Sequence, residues 1–189
     1  MRILATIVGL AIALCPDPAT GETPANWSAG KTLCIQHDEL LKPGPLNVGV
    51  HLGTTPDNAK AFARALDFWA SVLDMEWRID DSPNCAIHVF SGTHRLFRSA
   101  EVARAHVPDR PAFRGLIAIN PQAELTAHER YLLAVHELGH IFGLRHNASA
   151  RSVMYFLCLQ GPIHLDASDL AALAARHKLR NPSARLTTD

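Results

Sequence analysis

The chain has 189 residues, a length typical of a single domain that buries its own core. Its 18 acidic and 18 basic side chains balance, so no overall charge attracts it to nucleic acid or to an anionic membrane surface. We therefore expect no nucleic-acid partner, and any interaction to be local.

Residues 1–21 have the pattern of an export signal peptide. Arg2 precedes an apolar run over 3–14, and small residues follow at 19–21. About a dozen apolar residues are too few for a helix that crosses a bilayer, so we expect no integral membrane span. The pattern predicts an exported protein, secreted or periplasmic, that is cleaved after Gly21. Cys15 leaves a lipoprotein alternative open.

Three further cysteines remain if the signal is removed: Cys34, Cys85 and Cys158. An exported protein can join two of them in a disulfide, and we expect Cys34 to pair with Cys85, since both would lie at strand ends. The sequence does not decide this pairing. None of the cysteines has the CxxC spacing of a structural zinc site.

The segment 22–45 is rich in Pro, Gly and polar residues, which predicts an irregular leading segment before a domain over 46–180. Apolar periodicity predicts, in chain order, a strand over Leu46–Leu52, a helix from Pro56 to about Asp74 with Thr55 as its cap, and strands over Met75–Ile79 and Cys85–Phe90 joined by a turn at 80–84. Scattered arginines and prolines predict solvated loops or a short exposed helix over 91–114. A short strand follows over Leu116–Ile119.

A capping box then marks the start of a buried helix. Thr126 and Glu129 can each satisfy a backbone donor in the opening turn. We expect this helix to run from Ala127 to about Phe142, with apolar residues on several sides that suit burial in the centre of the domain.

The most informative stretch lies at the end of this helix: HELGHIFGLRH over 136–146. His136 and His140, four residues apart, share one helix face, with Glu137 beside them. A glycine at Gly143 can take the left-handed conformation that ends the helix and returns His146 to the same point. Three neutral imidazoles with an open fourth position are a ligand set for catalytic zinc. Glu137 is then placed to take a proton from water as a general base.

The extended pattern HExxHxxGxxH is the metzincin signature, and a methionine turn, Ser152-Val153-Met154-Tyr155, follows it. The chain therefore resembles a metzincin, and it is most similar to the matrixin branch, in which a tyrosine directly follows the methionine. The resemblance implies an α+β fold: a twisted mixed sheet, a long helix in the N-terminal half, a central active-site helix, and a small C-terminal subdomain. That subdomain would hold the methionine turn and a final helix from Ala167 to about Lys178, before a tail over 181–189.

The same resemblance implies a zinc-dependent endopeptidase. One zinc ion would be held by His136, His140 and His146, with Glu137 as the catalytic base and Met154 as an apolar floor rather than a ligand. The partner would be a protein or peptide substrate, which metzincins pair with the edge strand of the sheet. We expect the protein to be a monomer.

In matrixins, two adjacent acids at the start of the last helix brace the methionine turn. Here Ser168 and Asp169 stand in those positions, so the first brace is weakened to a hydroxyl. Capping of the helix is an alternative role for both residues.

Other parts of the chain depart from the matrixin pattern. The surroundings of Cys34 do not match the family's cysteine switch, and 91–125 lacks the segment that builds the auxiliary zinc and calcium sites. His88, His94 and His106 have no ligand spacing and are interpreted as scattered polar histidines. Latency and calcium dependence are therefore not implied. The loop 156–164 would line an apolar specificity pocket.

Two other functions remain to be weighed: a non-catalytic zinc-binding or interaction module on the same fold, and a non-peptidase amidase with HExxH. A structural site has no need of a base, so Glu137 argues against the first. His146 argues against the second, because it extends the motif with a third imidazole.

Overall fold

The computed structural model describes residues 46–81, 87–97, 101–106, 115–155, 159 and 163–180. The elements are strand β1 (Leu46–Gly53), helix α1 (Pro56–Val72), strands β2 (Met75–Ile79) and β3 (Ile87–Ser91), a short 3-10 helix (His94–Leu96), strands β4 (Ala103–His106) and β5 (Gly115–Ile119), and helices α2 (Ala127–Ile141) and α3 (Ala167–Ala174). The expected signal, the leading segment, the tail, most of the 80–84 turn and three expected disulfide candidates (Cys34, Cys85, Cys158) lie outside the described residues.

The five strands form one mixed sheet in the order β2-β1-β3-β5-β4. Every neighbouring pair is parallel except β4 with β5, which is antiparallel. The predicted α+β fold with a mixed sheet is confirmed. β4 forms an edge of this sheet, an assignment that the sequence left open.

Strand β4 corrects the prediction that 91–114 forms only loops or a short exposed helix. Its side chains alternate between alanines and polar residues, so the apolar signal is weak, and the strand is held by its pairing with β5. Arg104 was expected in a solvated segment, yet it is only 8% exposed. The Nε atom of Arg104 lies 2.6 Å from Oε1 of Glu101, and this carboxylate charge balances the charge of the buried guanidinium.

The core lies between one face of the sheet and helices α1 and α2. Val50 on β1 and Val89 on β3 are fully buried on this face, as is Trp69 on α1. The indole Nε1 of Trp69 donates a hydrogen bond to the carbonyl of Val135 on α2, at 3.1 Å. The two helices are thus joined by packing and by a satisfied buried donor, which fixes α2 under the sheet.

The observed helix ends match the ends predicted from the sequence for some helices and differ for others. The capping box of α2 is present, with both Thr126 and Glu129 bonding backbone donors. Thr55 occupies the cap position of α1, but its side chain makes no capping hydrogen bond. Helix α3 ends at Ala174, earlier than the expected Lys178, because the chain turns there and Leu179 forms a bridge with Leu73.

Candidate metal centre

Helix α2 brings the first two histidines of the motif together. His136 and His140 project from the same face, one turn apart, and their Nε2 atoms are 3.1 Å from each other. The ring centroids are separated by 4.7 Å. This proximity follows directly from the four-residue spacing on a helix.

The third histidine reaches the same point through the turn that ends α2. Gly143 has φ of 95°, in the left-handed region that glycine adopts without strain. Beyond this turn, the ring centroid of His146 lies 4.8 Å from that of His140 and 5.3 Å from that of His136. One nitrogen from each of the three rings lies within 4.8 Å of the others, so the three histidines are positioned to bind one metal ion.

Hydrogen bonds orient two of these rings for metal ligation. Nδ1 of His136 bonds the carbonyl of Val153 at 2.7 Å, and Nδ1 of His140 bonds the carbonyl of Leu144 at 2.9 Å. A carbonyl oxygen only accepts, so each Nδ1 carries the proton and each Nε2 presents a lone pair. Burial lowers the pKa of His136 to about 4 and that of His140 well below its usual range. Both rings are thus kept in the neutral form that zinc requires.

Glu137 directly follows His136 on α2 and is buried, with an exposed fraction of 6%. Its carboxylate accepts a hydrogen bond from the backbone N–H of Ala105 on β4, while Oε2 has no hydrogen-bond partner among the described residues. Burial, with a smaller contribution from the Glu101 carboxylate, raises the pKa of Glu137 to about 8. A buried carboxylate oxygen without a partner is costly in a structural role, and it fits a group that exchanges a proton with a bound reactant.

Met154 lies against helix α2 and is fully buried. A Cβ added at Gly139, between the two helix histidines, would collide with the Met154 sulfur and press on Trp69. The missing side chain of Gly139 therefore lets the thioether pack directly against the helix backbone. Met154 thus packs against the helix segment that carries His136 and His140, and its predicted role as a floor under all three imidazoles stays a prediction.

Asp169 and Asn147 hold the methionine turn in place. The Asp169 carboxylate accepts hydrogen bonds from the hydroxyl of Ser152 at 2.6 Å and from the side-chain amide of Asn147 at 2.9 Å. That amide also contacts Ser168 Oγ at 3.1 Å and Asp166 at 2.8 Å. The Ser152 hydroxyl in turn accepts from the backbone N–H of Met154 at 2.9 Å.

Asp169 therefore has both of the roles considered from the sequence. It hydrogen-bonds the methionine turn, and it also accepts a hydrogen bond from the backbone N–H of Asp166 in the capping box of α3. Sequence reasoning missed Asn147, Glu101 and Arg104. Asn147 directly follows the third histidine, which was the only local signal. The expected specificity wall over 156–164 lies mostly outside the described residues, and Cys158 with it.

These features define a metzincin-type metal centre. A mixed sheet packs on a central helix that carries two clustered histidines, a third histidine follows a glycine in the left-handed conformation, and the methionine turn is buried. The family model described as Matrixin matches residues 52–177, well over half of the chain, and the chain therefore belongs to the matrixin family. A comparison with curated proteins gives no match. Matrixins bind catalytic zinc and are metalloendopeptidases, generally extracellular. Among the described residues, no helix is both long and apolar enough to cross a membrane.

Proposed function

We propose that this protein is an exported zinc-dependent endopeptidase, with His136, His140 and His146 as the zinc ligands and Glu137 as the general base. The observation that carries the proposal is the convergence of three imidazoles, with a buried carboxylate on the same helix whose Oε2 has no hydrogen-bond partner in the part of the chain that the structure describes. The donor set suits zinc, since neutral imidazole nitrogens are among its usual ligands and three of them leave a fourth position for a reactant.

Held by His136, His140 and His146, a zinc ion would supply Lewis-acid chemistry to water and to the scissile carbonyl. Glu137 would accept the proton that the attacking water gives up as it adds to the carbonyl, and would return that proton to the leaving amine. The hydrogen bond from the backbone N–H of Ala105 to its carboxylate holds the side chain in one orientation. His136 and His140 are held by backbone carbonyls, so they need no rearrangement to serve as ligands.

Strand β4 is the candidate template for the substrate. It is an edge strand of the sheet, and through Ala105 it contacts the proposed base. An extended peptide that adds to such an edge forms main-chain hydrogen bonds along its length, which would bring a peptide bond next to Glu137.

The test is cleavage of a diverse peptide library by the purified protein, with and without a chelator. Replacement of Glu137 by Gln should leave zinc bound and reduce turnover by at least about 10²-fold, because only the proton acceptor is removed. Glu124→Gln is a matched control, since Glu124 is exposed on the loop before α2.

Zinc content is measured on the same samples as cleavage. Undiminished hydrolysis by the Glu137 variant would contradict the assigned base. An absence of chelator-sensitive cleavage in the unmodified protein would contradict the enzyme and favour a zinc-binding interaction module.

A further inference from the structure

Strand β2 forms the edge of the sheet opposite to β4 in the part of the chain that the structure describes. The carbonyl of Asp74, just before β2, accepts a hydrogen bond from β1 at 2.8 Å, and the N–H of Asp80, just after it, donates one to β1 at 2.9 Å. In a parallel ladder every second residue of a strand bonds a given neighbour, so the even-numbered residues over 74–80 face β1. The backbone groups of Met75, Trp77 and Ile79 therefore point to the outer edge.

These outward groups are only partly used within the chain. The N–H of Met75 donates to the carbonyl of Leu73 at 2.8 Å, and the Met75 carbonyl accepts from Arg180 Nη2 at 2.9 Å. The outward groups of Trp77 and Ile79 have no hydrogen bond to any residue that the structure describes. Donors and acceptors in this arrangement are a template for the addition of another strand.

The side chains of this edge are accessible to a partner. Ile79 is 61% exposed, and Trp77 on the same face of the strand is half-buried. On the opposite face Glu76 and Arg78 are both exposed and carry opposite charges. Arg78 lies 4.0 Å from the carboxylate of Asp80, a long contact that leaves its guanidinium able to bind another acid.

The charges identify a second copy of this chain as the partner. In an antiparallel pair related by a two-fold axis at Trp77, Glu76 of each copy lies directly opposite Arg78 of the other. Both are non-hydrogen-bonded positions, at which facing side chains of an antiparallel ladder lie closest. A shift of the axis by one residue in either direction would oppose two arginines or two glutamates. Attraction in one register and repulsion in its neighbours select the axis at Trp77.

We propose that β2 is the interface of a symmetric homodimer, in which two sheets join edge to edge through antiparallel β2 strands. The N–H groups of Trp77 and Ile79 would donate to the carbonyls of Trp77 and Met75 in the second copy, and a carbonyl can accept two hydrogen bonds. The engaged N–H of Met75 keeps the ladder short, so the dimer forms in a concentration-dependent equilibrium. This proposal departs from the monomer expected from the sequence. It leaves β4 free at the other edge of each sheet.

The experiment is sedimentation equilibrium of the purified, zinc-loaded protein over a wide range of concentrations. The unmodified protein should show a monomer–dimer equilibrium. Glu76→Arg and Arg78→Glu each place two like-charged pairs in the interface, and each should raise the dissociation constant by about tenfold or more. Glu124→Arg is the matched control, since it makes the same charge change at an exposed position outside β2, and it should leave the equilibrium unchanged.

An equimolar mixture of Glu76→Arg and Arg78→Glu tests the register itself. Each arginine then faces a glutamate across the two-fold axis, so the mixture should dimerise about as strongly as the unmodified protein. Restored dimerisation also shows that both variants are folded. Unmodified protein that stays monomeric at every concentration, single variants that dimerise as strongly as it does, or a mixture that stays monomeric would overturn the interface. None of these measurements involves peptide cleavage, so this interface and the proposed peptidase activity fail independently.

Discussion

Asp169 joins the methionine turn to helix α3 through a single buried carboxylate. The side chain is only 4% exposed, and its two oxygens accept hydrogen bonds from Ser152, Asn147 and the backbone of Asp166. Asn147 stands directly after the third histidine. Asp169 is therefore expected to fix where Met154 lies and, through Asn147, where His146 lies.

Replacement of Asp169 by Ala should lower the free energy of unfolding by about 2–3 kcal/mol, because it leaves the Ser152 hydroxyl and the Asn147 amide without their buried acceptor. Ser168→Ala is the matched control; its hydroxyl is exposed, and the cost should be below about 1 kcal/mol. Urea unfolding of the zinc-loaded proteins measures both. Equal losses for the two variants would show that the carboxylate is not the brace.

The residues at the metal centre were predictable to the extent that their positions are set locally. His136, Glu137 and His140 share a helix face whatever surrounds them, and the turn at Gly143 is set by one residue. The contact between Glu137 and Ala105 joins residues more than thirty positions apart and depends on the sheet order. Such a contact leaves no periodic signal in the sequence.

Helix α2 begins with a capping box. The threonine at the cap position of α1 makes no side-chain hydrogen bond to its helix. Glu129 Oε2 accepts from the backbone N–H of Thr126 at 2.7 Å, and Thr126 Oγ1 accepts from the backbone N–H of Glu129 at 3.3 Å. Thr55 has no comparable bond, and its helix relies instead on Pro56 in the first turn. The two threonines are therefore a natural comparison.

Thr126→Ala should destabilise the protein by about 1 kcal/mol, because it removes a side-chain acceptor from the first turn of helix α2. Thr55→Ala should cost clearly less, since no capping bond is lost. Thermal unfolding of the two variants under the same conditions gives the comparison. A larger loss for Thr55→Ala would contradict the assignment of the two caps.

At the scale of elements, periodicity predicted β1, β2, β3, β5 and the two long helices, because apolar residues recur in each at the spacing of a strand or a helix. It missed β4, in which small and charged residues alternate. Whether such a segment forms an edge strand depends on whether a neighbouring strand offers a free side, which is a property of the sheet and not of the segment. The early end of α3 has a similar cause, since the pairing of Leu179 with Leu73 competes with further helix.

The segment after α3 is bonded to two other parts of the chain: the end of α2 and the connection between α1 and β2. Arg176 Nη1 donates to the carbonyl of Gly143 at 2.6 Å, and a ring nitrogen of His177 donates to the carbonyl of Phe142 at 2.9 Å. Further on, Lys178 Nζ lies 2.8 Å from the Asp74 carboxylate. This short stretch thus connects the end of α2 to the segment between α1 and β2, so the histidine cluster and the sheet are expected to unfold together.

His177 makes the free energy of unfolding depend on pH. Burial lowers the pKa of His177 below its usual 6.5; the neighbouring Arg176 charge acts in the same direction, and the bond to Phe142 acts against it. The folded state therefore holds the ring neutral, while the unfolded chain takes up a proton near pH 6.5. The free energy of unfolding should consequently decrease as the pH falls below this value, by at most about 1.4 kcal/mol per pH unit from this group, and should level off below the lowered pKa of the folded state.

His177→Gln keeps an N–H donor of similar reach but cannot take up the proton. Urea unfolding across the neutral to mildly acidic range should therefore show a shallower pH dependence in the variant than in the unmodified protein. The three histidines of the metal centre titrate in both proteins, so their contribution cancels in the difference between the two curves. Curves with the same pH dependence would show that protonation of His177 does not contribute to the pH dependence of the free energy of unfolding.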